Sequence, residues 1–338
     1  MHVFVTGATG FIGFHTVLAL HKAGHTVRLG VRNAEKMRLL YANTDVDTSD
    51  YAIGEITDAV AIDKALEGVD AVVHTAAMVS MDANKEPIMR KTNLIGTQLV
   101  VGGAVAKGIE SIVYISSVAA IFDPTATVLN EKTSLVKPKT AYARSKNECE
   151  LYIRELMQNG AKIAITYPAA VMGPDDPGLS EPNEGTSFFF KMCFLNTTSG
   201  QQIIDVRELA NVQVRLLEEK KSGRYLVTGH FIPWKELGLL LDNITGKKLL
   251  KLSIPVTILK MVGTLVDFIG KIKPLPIPIT REAITYATEW VYADDSKVRE
   301  ELNISYRPLE ETMKDTVVWL AKAGHIKAKW AENIDKQT

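Results

Sequence analysis

The 338-residue chain is predicted to be an α/β protein: a doubly wound parallel sheet with a smaller, mostly helical C-terminal part. Three observations carry that prediction. Short β-branched apolar runs alternate with longer stretches of helical period through the first half of the chain. Three glycines spaced by three follow the first of those runs. After residue 167 the alternation gives way to a Pro- and Gly-punctuated stretch. Strand–helix alternation reads as a parallel sheet covered on both faces, because successive parallel strands need a crossover and a helix fills it.

The expected strands are 2–6, 26–31, 51–54, 71–75, 111–116 and 162–167, and the helices between them are 11–23, 34–40, 59–67, 87–107 and 142–159. Pro168, Gly173-Pro174, Pro177-Gly178 and Pro182 then mark a loop and a boundary. The remainder reads as helices at 206–219, 234–245, 256–269, 279–286, 295–302 and 309–323, one strand near 224–227, and a Pro-rich turn at 273–278. Residues 1–168 are therefore read as one domain, with segments near 203–228 returning to it, and 169–338 mostly as a second.

Lys plus Arg and Asp plus Glu both total 39, and this balance gives no electrostatic case for coating a nucleic acid. With 46% apolar and 23% charged residues the chain is expected to fold throughout. Cys149 and Cys193 are too few for a disulfide framework or a Cys-rich metal module, and no secretion signal is read at the start, so the expected compartment is the cytoplasm. No metal site is expected. His21 and His25 flank the helix stop at Gly24, where the helix dipole favours a histidine. The apolar segment 254–272 is interrupted by Pro255, Lys260, Gly263 and Asp267, so it is read as an amphipathic helix and not a membrane span.

The first chemical motif is Thr6-Gly7-Ala8-Thr9-Gly10-Phe11-Ile12-Gly13. At a strand-to-helix turn such spacing aims backbone N–H groups and the positive end of a helix at a phosphate, so a dinucleotide is expected here. The end of the second strand, Arg28-Leu29-Gly30-Val31-Arg32-Asn33, lacks the acid that would hold a ribose 2′-OH and offers Arg32 instead, with Lys36 one turn on. A guanidinium suits a 2′-phosphate, so NADP(H) is favoured and NAD(H) is the alternative.

The second motif is Tyr142-Ala143-Arg144-Ser145-Lys146, preceded by the pair Ser116-Ser117 at a strand end. On a helix Tyr142 and Lys146 share one face, and a neighbouring ammonium brings a phenol into working range for proton transfer. A serine hydroxyl from the adjacent strand end can hold a substrate carbonyl.

These residues together resemble an extended (atypical) short-chain dehydrogenase/reductase of the NAD-dependent epimerase/dehydratase superfamily, over essentially the whole chain. The resemblance rests on the glycine motif, on His74-Thr75-Ala76-Ala77, on Asn93-Leu94-Ile95-Gly96-Thr97, and on Ser117, Tyr142 and Lys146. It implies a Rossmann-type NADP-binding domain and a C-terminal substrate-binding domain. In that scheme Ser117 polarises the carbonyl, with Ser116 as the alternative; Tyr142 donates the proton; and Lys146 binds the nicotinamide ribose and lowers the tyrosine pKa. Thr9, Phe11, Ile12, Thr75, Ala76, Ala77 and Asn93 are carried over as cofactor contacts. Tyr167, Pro168 and Ala169 are placed near the nicotinamide. Glu55 and Ile56 stand where relatives carry Asp-Leu near the adenine, and Glu55 departs from that pattern.

Val118-Ala119-Ala120 after Ser117 offers no extra acid or base for a dehydratase, which places the pattern nearest the dihydroflavonol-reductase and 3β-hydroxysteroid-dehydrogenase-like branch. The expected activity is reduction of a ketone or aldehyde, or oxidation of the alcohol, on a small apolar substrate. A sugar-nucleotide epimerase or dehydratase and a non-catalytic dinucleotide sensor are the alternatives. Phe188-Phe189-Phe190, Met192 and Phe194 are read either as pocket lining or as core. Helices 87–107 and 142–159 are the surfaces through which the resemblance implies a homodimer.

Overall fold

The computed structural model describes residues 1–79, 85–138, 140–270 and 281–334. The expected turn at 273–278 lies outside them. The first half runs β1 (His2–Thr6), α1 (Phe11–Lys22), β2 (Thr26–Val31), α2 (Ala34–Tyr41), β3 (Tyr51–Ile53), α3 (Ala59–Ala65), β4 (Ala71–His74), α4 (Glu86–Thr97), α5 (Gly103–Ala106), β5 (Ser111–Ile115), α6 (Ala141–Gln158) and β6 (Ile163–Pro168). Side-chain caps explain several of these starts: Asn33 accepts from the Lys36 N–H, Asp58 from Val60 and Ala61, and Thr140 from Ala143. The single expected helix at 87–107 is instead α4, a π-helical stretch at Gln98–Gly102 and then α5. A π-turn shifts the helical phase, but Leu99-Val100-Val101 are apolar at successive positions and hide that shift from the pattern.

The second half continues with β7 (Ala170–Met172), α7 (Glu181–Lys191), β8 (Phe194–Asn196), β9 (Gly200–Asp205), α8 (Val206–Glu218), β10 (Gly223–Val227), β11 (His230–Pro233), α9 (Trp234–Thr245), β12 (Lys251–Ser253), α10 (Val256–Gly270), α11 (Arg281–Glu289), α12 (Ser296–Glu301) and α13 (Leu309–Lys322). The expectation of one strand here is corrected. β7, β9 and β11 form one small sheet and β8 and β12 another. Three of these strands have only three residues, too few to show a period of two.

The main sheet has seven strands in the order β10-β6-β5-β4-β1-β2-β3, all parallel. Alternation within each strand feeds two cores. Val3, Val5, Val73 and Val113 pack with α1, α2 and α8 on one face, while Phe4, Val72, Ile112 and Ile165 pack with α3, α5 and α6 on the other. A third core, around Phe194, Trp234, Leu237, Leu241, Met313 and Val317, lies in the second half. Strand order reverses at β1, which pairs with β2 on one side and β4 on the other. A crevice at the carboxyl ends of the strands is expected at such a reversal.

Candidate active site

The glycine turn sits at that reversal. Gly7 has φ +69°, and a Cβ there would lie 2.8 Å from Thr75 Oγ1 and 2.9 Å from Ala76 Cα. The turn is therefore closed to any larger residue. A Cβ on Gly13 would come within 2.1 Å of the Gly7 carbonyl oxygen, so α1 packs onto the turn at glycine distance. Tyr41 donates from its hydroxyl to the Ala8 carbonyl at 2.7 Å, and Thr75 donates to the Thr6 carbonyl at 2.7 Å. α1 has no side-chain cap and no acid in its first turn. Its leading N–H groups and positive dipole end thus face the crevice without a competing anion.

One cleft of about 2690 Å³ runs from this turn across the strand ends to the second half. Ordinary small-molecule pockets are about 300–1,000 Å³, so there is room for a dinucleotide and a substrate together. Gly7, Thr9, Gly10, Phe11, Ile12, Gly13, Arg32, Lys36, Glu55, Ile56, Thr75, Ala76, Ala77, Ser117, Tyr142, Lys146, Pro168 and Ala169 all line it. Phe188 and Phe189 also line it, whereas Phe190 and Phe194 are buried in the third core and Met192 is 63% exposed.

Asn93 and Tyr167 stand behind the wall of the cleft. Asn93 accepts from the Met78 N–H at 2.7 Å and donates to the Met78 carbonyl at 2.9 Å and to Ser145 Oγ at 2.7 Å. It ties the chain after β4 to α6 beside Lys146. Tyr167 donates its hydroxyl to Glu150 and accepts from Arg224 Nε at 2.7 Å. Burial and the Glu150 carboxylate push the Tyr167 phenol up.

Around the reactive groups the two serines part company. Ser116 is buried and donates to Glu150 Oε2 at 3.0 Å. Ser117, half-buried, caps a short 3-10 turn at Val118–Ala120 by accepting from the Ala119 N–H at 3.2 Å. Tyr142 is the second residue of α6 and half-buried. Lys146, one turn on, is buried and donates from Nζ to the Ile115 carbonyl at 2.9 Å. Desolvation pushes its pKa down to about 8, against the opposing pull of Cys149 and Glu150.

Two groups to which the sequence reading gave no role complete the setting: Glu150, which it did not name, and His74, which it named only within a motif. Glu150, one turn after Lys146 and fully buried, takes bonds from Ser116, Tyr167 and Arg154. His74, buried at the end of β4, shares a 2.7 Å hydrogen bond with Thr6 Oγ1, and burial together with the Lys146 charge lowers its pKa to about 3. The i+4 spacing of Glu150 after Lys146 was a visible signal; the burial that gives it meaning was not.

Arg32 and Glu55 face each other across the outer mouth at 4.0 Å, 77% and 62% exposed. An exposed pair of this kind is held weakly, so the guanidinium can turn to another anion.

The topology and this cleft place the chain among the extended short-chain dehydrogenases/reductases of the NAD-dependent epimerase/dehydratase superfamily, a class of enzymes that works with a nicotinamide dinucleotide. Residues 4–185 match the 3-beta hydroxysteroid dehydrogenase/isomerase family, and the chain belongs to that family. It is 26% identical to a putative dihydroflavonol 4-reductase of Synechocystis sp., over 96% of each chain. It is 27% identical to sterol demethylase protein B of Methylococcus capsulatus, over 96% of this chain and all of the other. Its fold matches that of the Bordetella bronchiseptica enzyme WbmH, solved in complex with NAD+, with a TM-score of 0.73 at 20% identity over 96% of this chain and 99% of the other. Among the described residues no helix is long and apolar enough to cross a membrane.

Proposed function

We propose that the protein is an NADP(H)-dependent oxidoreductase that reduces a ketone or aldehyde of an apolar substrate, or oxidises the corresponding alcohol. The observation that carries the reading is that the glycine turn, Ser117, Tyr142 and Lys146 all line one cleft large enough for both reactants. The residues fit the dinucleotide: the glycine turn is closed to a Cβ, and the uncapped start of α1 offers N–H groups to its phosphates.

In this reading the turn at 7–13 holds the pyrophosphate, Arg32 and Lys36 hold the 2′-phosphate, and Glu55 and Ile56 border the adenine. Thr75, Ala76 and Ala77 line the passage between the two ends, and Pro168 and Ala169 back the ring. When bound, the dinucleotide supplies or accepts the hydride. Ser117 has its lone pair engaged by the Ala119 N–H, which leaves its proton to donate to the substrate oxygen. Tyr142 gives its proton to that same oxygen during reduction and takes it back during oxidation. Lys146, fixed by the Ile115 carbonyl, holds ribose hydroxyls and favours the phenolate. Ser116 is committed to Glu150, and Asn93 and Tyr167 act from behind the wall as positioning residues.

Residues 1–168, completed by β9 to β10, form the cofactor domain in this reading, and the later segments close over the substrate. Phe122, Phe188, Phe189, Trp234 and Trp290 give the far part of the cleft an aromatic lining that suits an apolar substrate. The outer sides of α4 and α6 expose Ile88 and Leu151, at 57% and 55%, and would pair two chains into a dimer.

The test is NADPH consumption against a panel of apolar ketones and aldehydes, run beside UDP-sugars monitored for interconversion. Net NADPH oxidation with a ketone supports the reading. Sugar interconversion without net oxidation overturns it in favour of an epimerase. Tyr142→Phe should lower turnover about 10²–10⁴-fold with dinucleotide affinity unchanged; equal turnover by the variant rejects the proton-donor role.

A further inference from the structure

Among the described residues Glu150 is the one charged residue with no exposure at all. Burying a carboxyl group costs heavily unless hydrogen bonds and opposite charge surround it. Its partners come from four places in the fold. Ser116, just after β5, donates to Oε2 at 3.0 Å. Tyr167 in β6 and Arg154 in α6 donate to Oε1, the latter from Nε at 2.9 Å, and Arg224 of β10 lies 3.8 Å from that oxygen. Arg224 also donates to the Tyr167 hydroxyl at 2.7 Å and to the Thr133 carbonyl at 2.8 Å, in the stretch that leads to the cleft residues Val136 and Lys137.

These partners stand next to the groups assigned to the chemistry. Ser116 precedes Ser117, and Tyr167 precedes Pro168 and Ala169 in the cleft wall. Lys146 and Glu150 follow Tyr142 at intervals of four on α6, and they hold successive residues of one strand end: Lys146 the Ile115 carbonyl and Glu150 the Ser116 hydroxyl. The Ser116 N–H donates in turn to the Thr166 carbonyl at 2.8 Å, which ties the end of β5 to that of β6. Apolar packing alone would keep α6 on the sheet but tolerates sliding, whereas a hydrogen-bonded carboxylate fixes direction and length. Ser117 and Tyr142 have to reach the same substrate oxygen, and an error of about 1 Å in such a pair costs about 10²-fold in rate.

We propose that Glu150 is a positioning residue of the reaction: its buried carboxylate joins the ends of β5 and β6 to α6 and thereby holds Ser117 at working distance from Tyr142. This role rests on the roles proposed above for Ser117 and Tyr142.

The test is steady-state kinetics on the full chain, with rates expressed per dinucleotide-binding site so that unfolded protein does not count. Glu150→Leu keeps much of the volume and removes every bond; kcat is expected to fall about 10²-fold while the substrate KM and the dinucleotide Kd stay within about twofold. Glu150→Gln keeps the shape and can still bond on both sides, so it is expected to recover at least ~10-fold of that loss. Tyr167→Phe deletes a single bond from behind the cleft wall and is the gentler variant should Glu150→Leu not fold; its kcat is expected to fall about fivefold at unchanged KM and Kd. Wild-type kcat per site in Glu150→Leu overturns the proposal, as does wild-type kcat in Tyr167→Phe where the leucine variant does not fold. So does a Glu150→Gln protein as slow as Glu150→Leu, since the buried charge and not the bonded geometry would then set the rate. A KM or Kd that rises in step with the loss overturns it too, because it marks damage to the whole cleft. The reductase reading fails separately, through a wild type that interconverts UDP-sugars without net NADPH oxidation; the variants are then compared on that reaction, which equally needs Ser117 and Tyr142 held together.

Discussion

Gly13→Ala is the sharpest probe of the turn to which the proposed function assigns the pyrophosphate. The added Cβ would lie 2.1 Å from the Gly7 carbonyl oxygen, 2.7 Å from its carbon and 2.9 Å from Thr75 Oγ1, where ordinary contacts begin at 3.4 Å. Two of the three neighbours are backbone, so relief requires α1 and the turn to separate by about 1 Å. Overpacking of this kind costs about 1–3 kcal/mol, and the better helix propensity of alanine returns at most about 1 kcal/mol. A net loss of about 1–2 kcal/mol of stability is expected. A larger effect should appear in binding, because the N–H groups that face the phosphates move with the turn, and a tenfold to hundredfold rise in the NADPH Kd is expected. Urea unfolding of the free protein and quenching of tryptophan fluorescence by NADPH measure the two. Gly10→Ala is the control for stability: its Cβ would meet only the Gly7 oxygen among protein atoms, at 3.3 Å, and should shift the unfolding midpoint far less. A Gly13→Ala protein with wild-type unfolding midpoint and Kd would refute the close-packed turn.

Three further outcomes follow from the same geometry. Arg32→Ala should raise the Kd for NADPH by about tenfold or more and leave that for NADH nearly unchanged, since a charge-assisted bond to phosphate is worth roughly 1.5–3 kcal/mol; equal effects on both would remove Arg32 from the 2′-phosphate. Lys146 titrates near 8 in the fold, below its usual 10.5, so between these values the unfolded chain holds a proton that the native chain lacks and stability rises with pH. Lys146→Met should flatten that rise in urea midpoints, and wild-type turnover should fall as pH passes through about 8. His74 stays neutral down to about 3 against an ordinary 6.5, so its contribution to stability is lost as pH falls through that window, and His74→Gln should show a shallower acid slope than the wild type.

The first half of the fold was legible because each strand there is four to six residues of apolar sequence, apart from short β3, and each crossover is a helix with a readable period. The glycine turn and the Tyr142–Lys146 face were legible because their spacing is itself the geometry. What escaped was what burial decides. Nothing local in the sequence separates the two serines, which both border the cleft: Ser116 spends its hydroxyl on the buried Glu150, while Ser117 accepts from the Ala119 N–H. Asn93 read as a cofactor contact, yet its amide is spent on Met78 and Ser145. Of the strands in the small sheets, β7, β8 and β12 escaped because three residues are too few to show a period, and β8 is held by a partner distant in sequence, β12.

The main sheet is finished by a strand that arrives late. β10 pairs with β6 only after the chain has passed through β7, α7, β8, β9 and α8, although the family match ends at residue 185. α8 likewise supplies Leu209, Val212 and Leu216 to the core under α1. During synthesis the main sheet therefore stands with β6 unzipped along one border until Val227 has cleared the ribosome, and a fragment cut near the family boundary would keep that sticky border for good. The two halves of the chain are interleaved in time as well as in space, and any attempt to transplant the seven-stranded sheet must carry residues through 227.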